Sequence, residues 1–137
     1  MPMSAFRFLS ALFLTALAAA PLPAKSLTIR MGETWVFEVR HGAPVDLRKV
    51  TPATRTLSGQ FKVSLQPLFG STMTITNASR FDYAYRATLL LPTGKPGPAK
   101  SCAVPANGQV AIEHWPTRVA AVSLDRFKPA QAGSLCP

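Results

Sequence analysis

The chain has 137 residues, with 15 Lys plus Arg against 6 Asp plus Glu and a formal net charge of +9. That length suits one main core rather than several domains. The basic residues are scattered, with no block of five or six together, which excludes a basic nucleic-acid arm.

Met1 to Arg7 carries one positive charge, Phe8 to Ala20 is almost wholly apolar, and small residues and prolines follow through Ala24. This is the layout of a secretory signal. The apolar run is about 13 residues, short of the roughly 20 that cross a bilayer as a helix. The sequence therefore divides into a cleaved signal peptide, a helix over 1–24, and one domain over 25–137. A retained N-terminal anchor is the competing reading. A cleaved chain is expected to be periplasmic or secreted and not membrane-spanning.

After Ala24 the pattern alternates with period two, the signature of strands. Leu27, Ile29 and Met31 alternate with Thr28 and Arg30. Trp35, Phe37 and Val39 alternate with Glu38 and Arg40. Val45 to Arg55 is weakly patterned and fits an edge strand or a crossing loop. Leu57 to Gln66 reads as a strand with Leu57, Gly59, Phe61, Val63 and Leu65 on one side. Met73 and Ile75 lie between threonines. Phe81 to Leu91 reads as a strand with Phe81, Tyr83, Tyr85, Ala87, Leu89 and Leu91 on one face. The prolines of Pro92 to Ser101 exclude a central strand and favour an exposed loop. Val110 and Ile112 precede Glu113, and Ala120, Val122 and Leu124 suggest a last strand. Gly32, His41-Gly42, Pro67 to Gly70, Asn77 to Ser79 and Asn107-Gly108 supply the turns.

About seven short strands with regular turn spacing predict an all-β, immunoglobulin-like antiparallel β-sandwich. Thr72 to Leu91, a strand, an Asn-x-Ser turn and a Tyr-rich strand, resembles the middle hairpin of many exported immunoglobulin-like domains. The likeness implies architecture and no activity.

In an oxidising compartment Cys102 and Cys136 are expected to pair. The bridge closes a loop of about 35 residues, worth roughly 3.8 kcal/mol in the chain-entropy model, and would pin the tail. The six acids are dispersed, and no nucleophile elbow, phosphate loop or His-Glu-x-x-His occurs, so no catalytic set is expected. Glu113 and His114 are adjacent on a strand and point to opposite faces. No cofactor is expected. The aromatics on apolar-parity faces read first as core. Were Tyr83, Tyr85 and Trp115 exposed beside Arg86 or Arg118, they would form an aromatic and basic recognition patch. These features predict a small exported, non-catalytic binding or accessory protein of the bacterial cell envelope. Its expected partner is an acidic protein or an anionic envelope component, not nucleic acid. The alternative is a periplasmic copper-binding sandwich using His41, His114 and a methionine, Met31 or Met73.

Overall fold

The computed structural model describes residues 25–131, whose regular structure is all β-strand. The strands are β1 (Leu27–Arg30), β2 (Thr34–Arg40), β3 (Ala43–Val50), β4 (Phe61–Gln66) and β5 (Ser71–Asn77). They continue as β6 (Tyr83–Leu90), β7 (Pro96–Ala99), β8 (Gln109–Trp115) and β9 (Ala121–Pro129). They form two antiparallel sheets, a four-stranded one in the order β1-β9-β6-β7 and a five-stranded one in the order β3-β2-β4-β5-β8. No helix among the described residues is long and apolar enough to cross a membrane.

The alternation read in the sequence places one face of each sheet in a shared core. Leu27, Ile29, Ala87, Val122 and Leu124 come from one sheet, and Phe37, Phe61, Val63, Leu65, Met73 and Ile75 from the other. Aromatic rings join the sheets. Phe127 of β9 meets Phe37 and Phe61 at centroid separations of 5.6 and 5.8 Å, and Tyr83 meets Phe61 edge-on at 5.4 Å. This is a sandwich-like arrangement in which apolar burial supplies the main driving force.

Two bulges set which side chains reach that core. Between Ala84 and Arg86, β6 advances two residues while its partners run from Lys128 back to Asp125, three residues along β9. Arg126 is the extra residue, with φ at 52°. The bulge shifts parity, so Leu124 and Phe127 both point inward although three positions separate them. A second shift lies between Val36 and Glu38 of β2, opposite Asp46 of β3, whose φ is 53°.

Several expectations need correction. The described residues form nine strands, where about seven were expected. The extra pairing comes from β7, where Pro96 and Pro98 lie on a sheet edge that does not require their missing N–H groups. Both readings of 45–55 hold in part: 43–50 is an edge strand, and 51–60 crosses the sheet. β3 and β4 run in the same direction on either side of β2, so the chain must pass over β2 to join them. Lys62 Nζ holds this crossover by donating to the carbonyls of Pro52 and Thr54 at 3.1 and 3.0 Å. Val36, the cross-strand partner of Lys62, is thereby buried on the outer face. Leu57 and Phe81 lie outside the strands and are exposed, and Gly59 sits in a turn with φ at 83°.

Thr72 to Leu91 is not a hairpin, because β5 and β6 belong to different sheets. The reason is Asn77. Its buried amide donates to the Phe81 and Val104 carbonyls at 2.7 and 3.2 Å, and its Oδ1 accepts from the Ser79 N–H and hydroxyl. The Asn-x-Ser triplet is a corner that turns the chain from one sheet to the other.

Candidate binding surfaces

Two ends of the molecule differ in chemistry. At the basal end the turns 31–33, 67–70, 91–95 and 116–120 are tied together. Met31 N–H donates to Ala120 O at 3.0 Å, Gly32 N–H to Leu65 O at 2.8 Å, and Ala120 N–H to Leu90 O at 2.8 Å. Ser71 Oγ, at the start of β5, accepts from Val119 N–H at 2.9 Å and donates to Thr117 O at 3.0 Å. The opposite end carries the His41-Gly42 turn, residues 78–82 and Asn107-Gly108, and both ends of the described chain, Lys25 and Gln131, lie there.

The five candidate patch residues do not share one face. Tyr85 is buried, stacked on Phe127 at 5.6 Å, and Tyr83 and Trp115 pack against the core from different sheets. Arg86 is exposed on the outer face of the four-stranded sheet and pairs with Asp125 in a two-pronged contact, Nε to Oδ1 at 2.7 Å and Nη2 to Oδ2. Arg118 is exposed in the basal 116–120 turn. The Tyr85 hydroxyl has no hydrogen-bond partner among the described residues. Burial pushes its pKa up, the nearby Glu113 carboxylate adds to the shift, and the Ser101 side chain opposes it.

The two histidines cannot hold one ion. His41 lies in the β2–β3 turn at the opposite end, while His114 lies at the basal end of β8, three strand positions away across the sheet. At the ordinary strand spacing that is ~14 Å sideways before the difference in height is added. Met73 is fully buried in the core, and Met31 packs partly buried against it. No group of three or more His, Cys, Asp or Glu among the described residues is placed to hold a metal. Glu113 and His114 point apart as expected. Glu113 Oε1 accepts from the Cys102 N–H at 2.6 Å, while His114 stands exposed, 3.3 Å from the Thr72 hydroxyl. Cys136 lies outside the described residues, as do residues 1–24.

The charges are distributed unevenly. Every carboxylate side chain is engaged within the fold. Glu33 accepts from the Trp35 indole at 2.9 Å and from Arg30 N–H at 3.0 Å, and pairs with Lys49 at 3.3 Å. Glu38 and Asp46 both bind Arg40, at 2.9 and 2.7 Å. Asp82 accepts from Ala106 N–H at 2.7 Å, and Glu113 and Asp125 are taken up as described. Only Arg40, Lys49 and Arg86 form ion pairs among the described residues, so Arg30, Arg48, Arg80, Lys95, Arg118 and Lys128, for example, face outward without a carboxylate.

The feature that sequence reasoning missed is the tip of the β4–β5 turn. Leu68 is 54% and Phe69 90% exposed, and Phe69 has φ at 49°. Its ring stands edge-on to His114 at 6.4 Å. A signal was present: two large apolar residues stand inside a Pro67-to-Gly70 turn, where turn chemistry asks for small or polar ones.

Comparisons with protein-family models, with curated proteins and with solved structures find no match to this chain.

Proposed function

We propose that this protein is an exported, non-catalytic binding or accessory protein of the bacterial cell envelope that docks on an anionic surface. The observation that carries the reading is the charge accounting: all carboxylates are satisfied internally while most cations are left to solvent. A basic surface of this kind raises the local concentration of anionic partners and speeds their capture. The leader pattern of residues 1–24 supports export to the periplasm or beyond. The dispersed acids, each already committed to a structural contact, support a role without catalysis or a bound cofactor. The copper alternative loses its support in the separation of His41 from His114.

In the same reading the sandwich is held at its tail by a Cys102–Cys136 disulfide, and mass spectrometry of export-processed protein without reductant is expected to find the bridge rather than two thiols. An immunoglobulin-like wiring is the finer reading of the fold. The β2–β3 pairing weighs against the constant-domain order, in which the second and third strands lie in opposite sheets. The functional test is capture from envelope extract at low and high salt. Retention that falls steeply as the screening length shrinks to about 3 Å at 1 M supports the anionic-surface reading. Retention indifferent to salt contradicts it.

A further inference from the structure

The basal end brings together three features that are separate in sequence. The first is an apolar tip. Leu68 and Phe69 project from the β4–β5 turn, and Phe69 is the most exposed large apolar residue among those described. The second is a rigid mount. A side chain on Gly70, whose φ is 98°, would collide with the Pro116 carbonyl, so the turn is seated directly on the segment that follows β8. The left-handed backbone at Phe69, rare for a bulky residue, persists only where its surroundings enforce it. The third is a set of three cations. Arg30 ends β1, Lys95 lies in the β6–β7 turn and Arg118 lies in the β8–β9 turn, all exposed and without carboxylate partners. Glu33, the acid of this end, is already occupied by Trp35, Arg30 N–H and Lys49.

An exposed aromatic and a leucine on a fixed turn, at the same end as three cations without carboxylate partners, match the chemistry of a lipid interface. Apolar side chains enter the boundary between headgroups and acyl chains, and cations sit among anionic headgroups. An acidic protein would satisfy the cations, but would leave the protruding tip needing a matching cavity. A bilayer accepts a convex apolar tip as it stands. We infer that the basal end is a docking surface for an anionic lipid bilayer, with Leu68 and Phe69 inserting at the interface and Arg30, Lys95 and Arg118 contacting headgroups. This inference rests on the anionic-surface reading above and names the surface and its chemistry. Docking here leaves Lys25 and Gln131, at the opposite end, pointing away from the lipid. One short apolar tip plus a few charges gives reversible binding, not permanent anchoring.

The test is cosedimentation of the signal-processed chain with vesicles of phosphatidylcholine alone and of phosphatidylcholine with phosphatidylglycerol. Binding is expected to the mixed vesicles only, and to fall with salt. Phe69→Ser and Leu68→Ser are each expected to weaken it about tenfold, the scale set by keeping one large apolar side chain in water. Arg118→Glu is expected to weaken it several-fold more than Lys128→Glu, the same charge reversal at the opposite end, and equal losses in the two variants overturn the placement. A Phe69→Trp variant is expected to shift its emission to the blue on mixed vesicles, a readout that does not depend on affinity. Equal binding to both vesicle types, no binding to either, or full binding by the Phe69→Ser variant with an unchanged melting curve overturns the inference. Salt-sensitive capture from envelope extract without vesicle binding overturns the lipid assignment and leaves the anionic-surface reading standing. Failure of both overturns both.

Discussion

Gly70 lies so close to Pro116 that no side chain fits between them: a Cβ on Gly70 would overlap the Pro116 carbonyl and come within 2.6 Å of the Trp115 carbonyl oxygen. The opposing atoms are backbone and cannot swing aside. The contact joins the β4–β5 turn to the end of β8, and so fixes where Leu68 and Phe69 stand. Gly70→Ala meets both this overlap and a φ of 98°, which alanine adopts only under strain. The expected cost is about 2–4 kcal/mol, at the upper end of single-residue effects. Thermal unfolding monitored by circular dichroism checks it, and a melting point within 2 °C or so of the parent contradicts it.

The hydroxyl of Tyr85 is buried with no partner at hydrogen-bond geometry among the described residues, and the Ser101 side chain offsets only part of its raised pKa, so desolvation is its largest contribution. Tyr85→Phe keeps the ring stacked on Phe127 and is expected to stabilise the fold by about 1 kcal/mol. It also tests the raised phenol pKa. Above a pH of about 10 an unfolded tyrosine ionises while the buried one resists, so the parent loses stability as pH rises from there toward the folded value. Melting curves from pH 8 to 11 are expected to fall less steeply for the variant, and parallel curves contradict the assignment.

Glu33 behaves in the opposite sense. Its hydrogen bond from the Trp35 indole, aided by the Arg30 N–H and by Lys49 and opposed by some desolvation, lowers its pKa below the ordinary 4.5. A depressed carboxylate contributes stability that is present above the unfolded value and is lost as pH falls through the folded one. Glu33→Gln is expected to lower the melting point at pH 7 and to flatten part of the decline below about pH 4.5. Denaturation followed between pH 2.5 and 7 checks this. A variant with an undiminished acid slope would show that other carboxylates carry it.

The core was legible in the sequence where strands are regular. Phe61, Val63 and Leu65, Met73 and Ile75, and Ala87 alternate as they stand, and all are buried. It was not legible where backbone geometry breaks the period. Phe127 reads as outward in step with Val122 and Leu124, and only the bulge at Arg126 turns it in. Val36 also has the outward parity, and the crossover held by Lys62 covers it. Sheet membership was equally hidden: the bonds of Asn77 to Ser79 and Phe81 are local and fit a hairpin turn as well as a corner, and only its bond to the Val104 carbonyl is non-local. The candidate site was legible in its charge but not in its place. Cation excess is a property of composition, whereas the gathering of Arg30, Lys95, Arg118 and the Leu68-Phe69 tip at one end follows from strand direction.

The most direct test of the account is the salt dependence of binding to intact anionic envelope membranes. Signal-processed protein is expected to bind at 0.05 M salt and to lose most of that affinity by 1 M, where screening confines charge attraction to about 3 Å. Binding of unchanged affinity across that range, or no binding at the lowest salt, would contradict it.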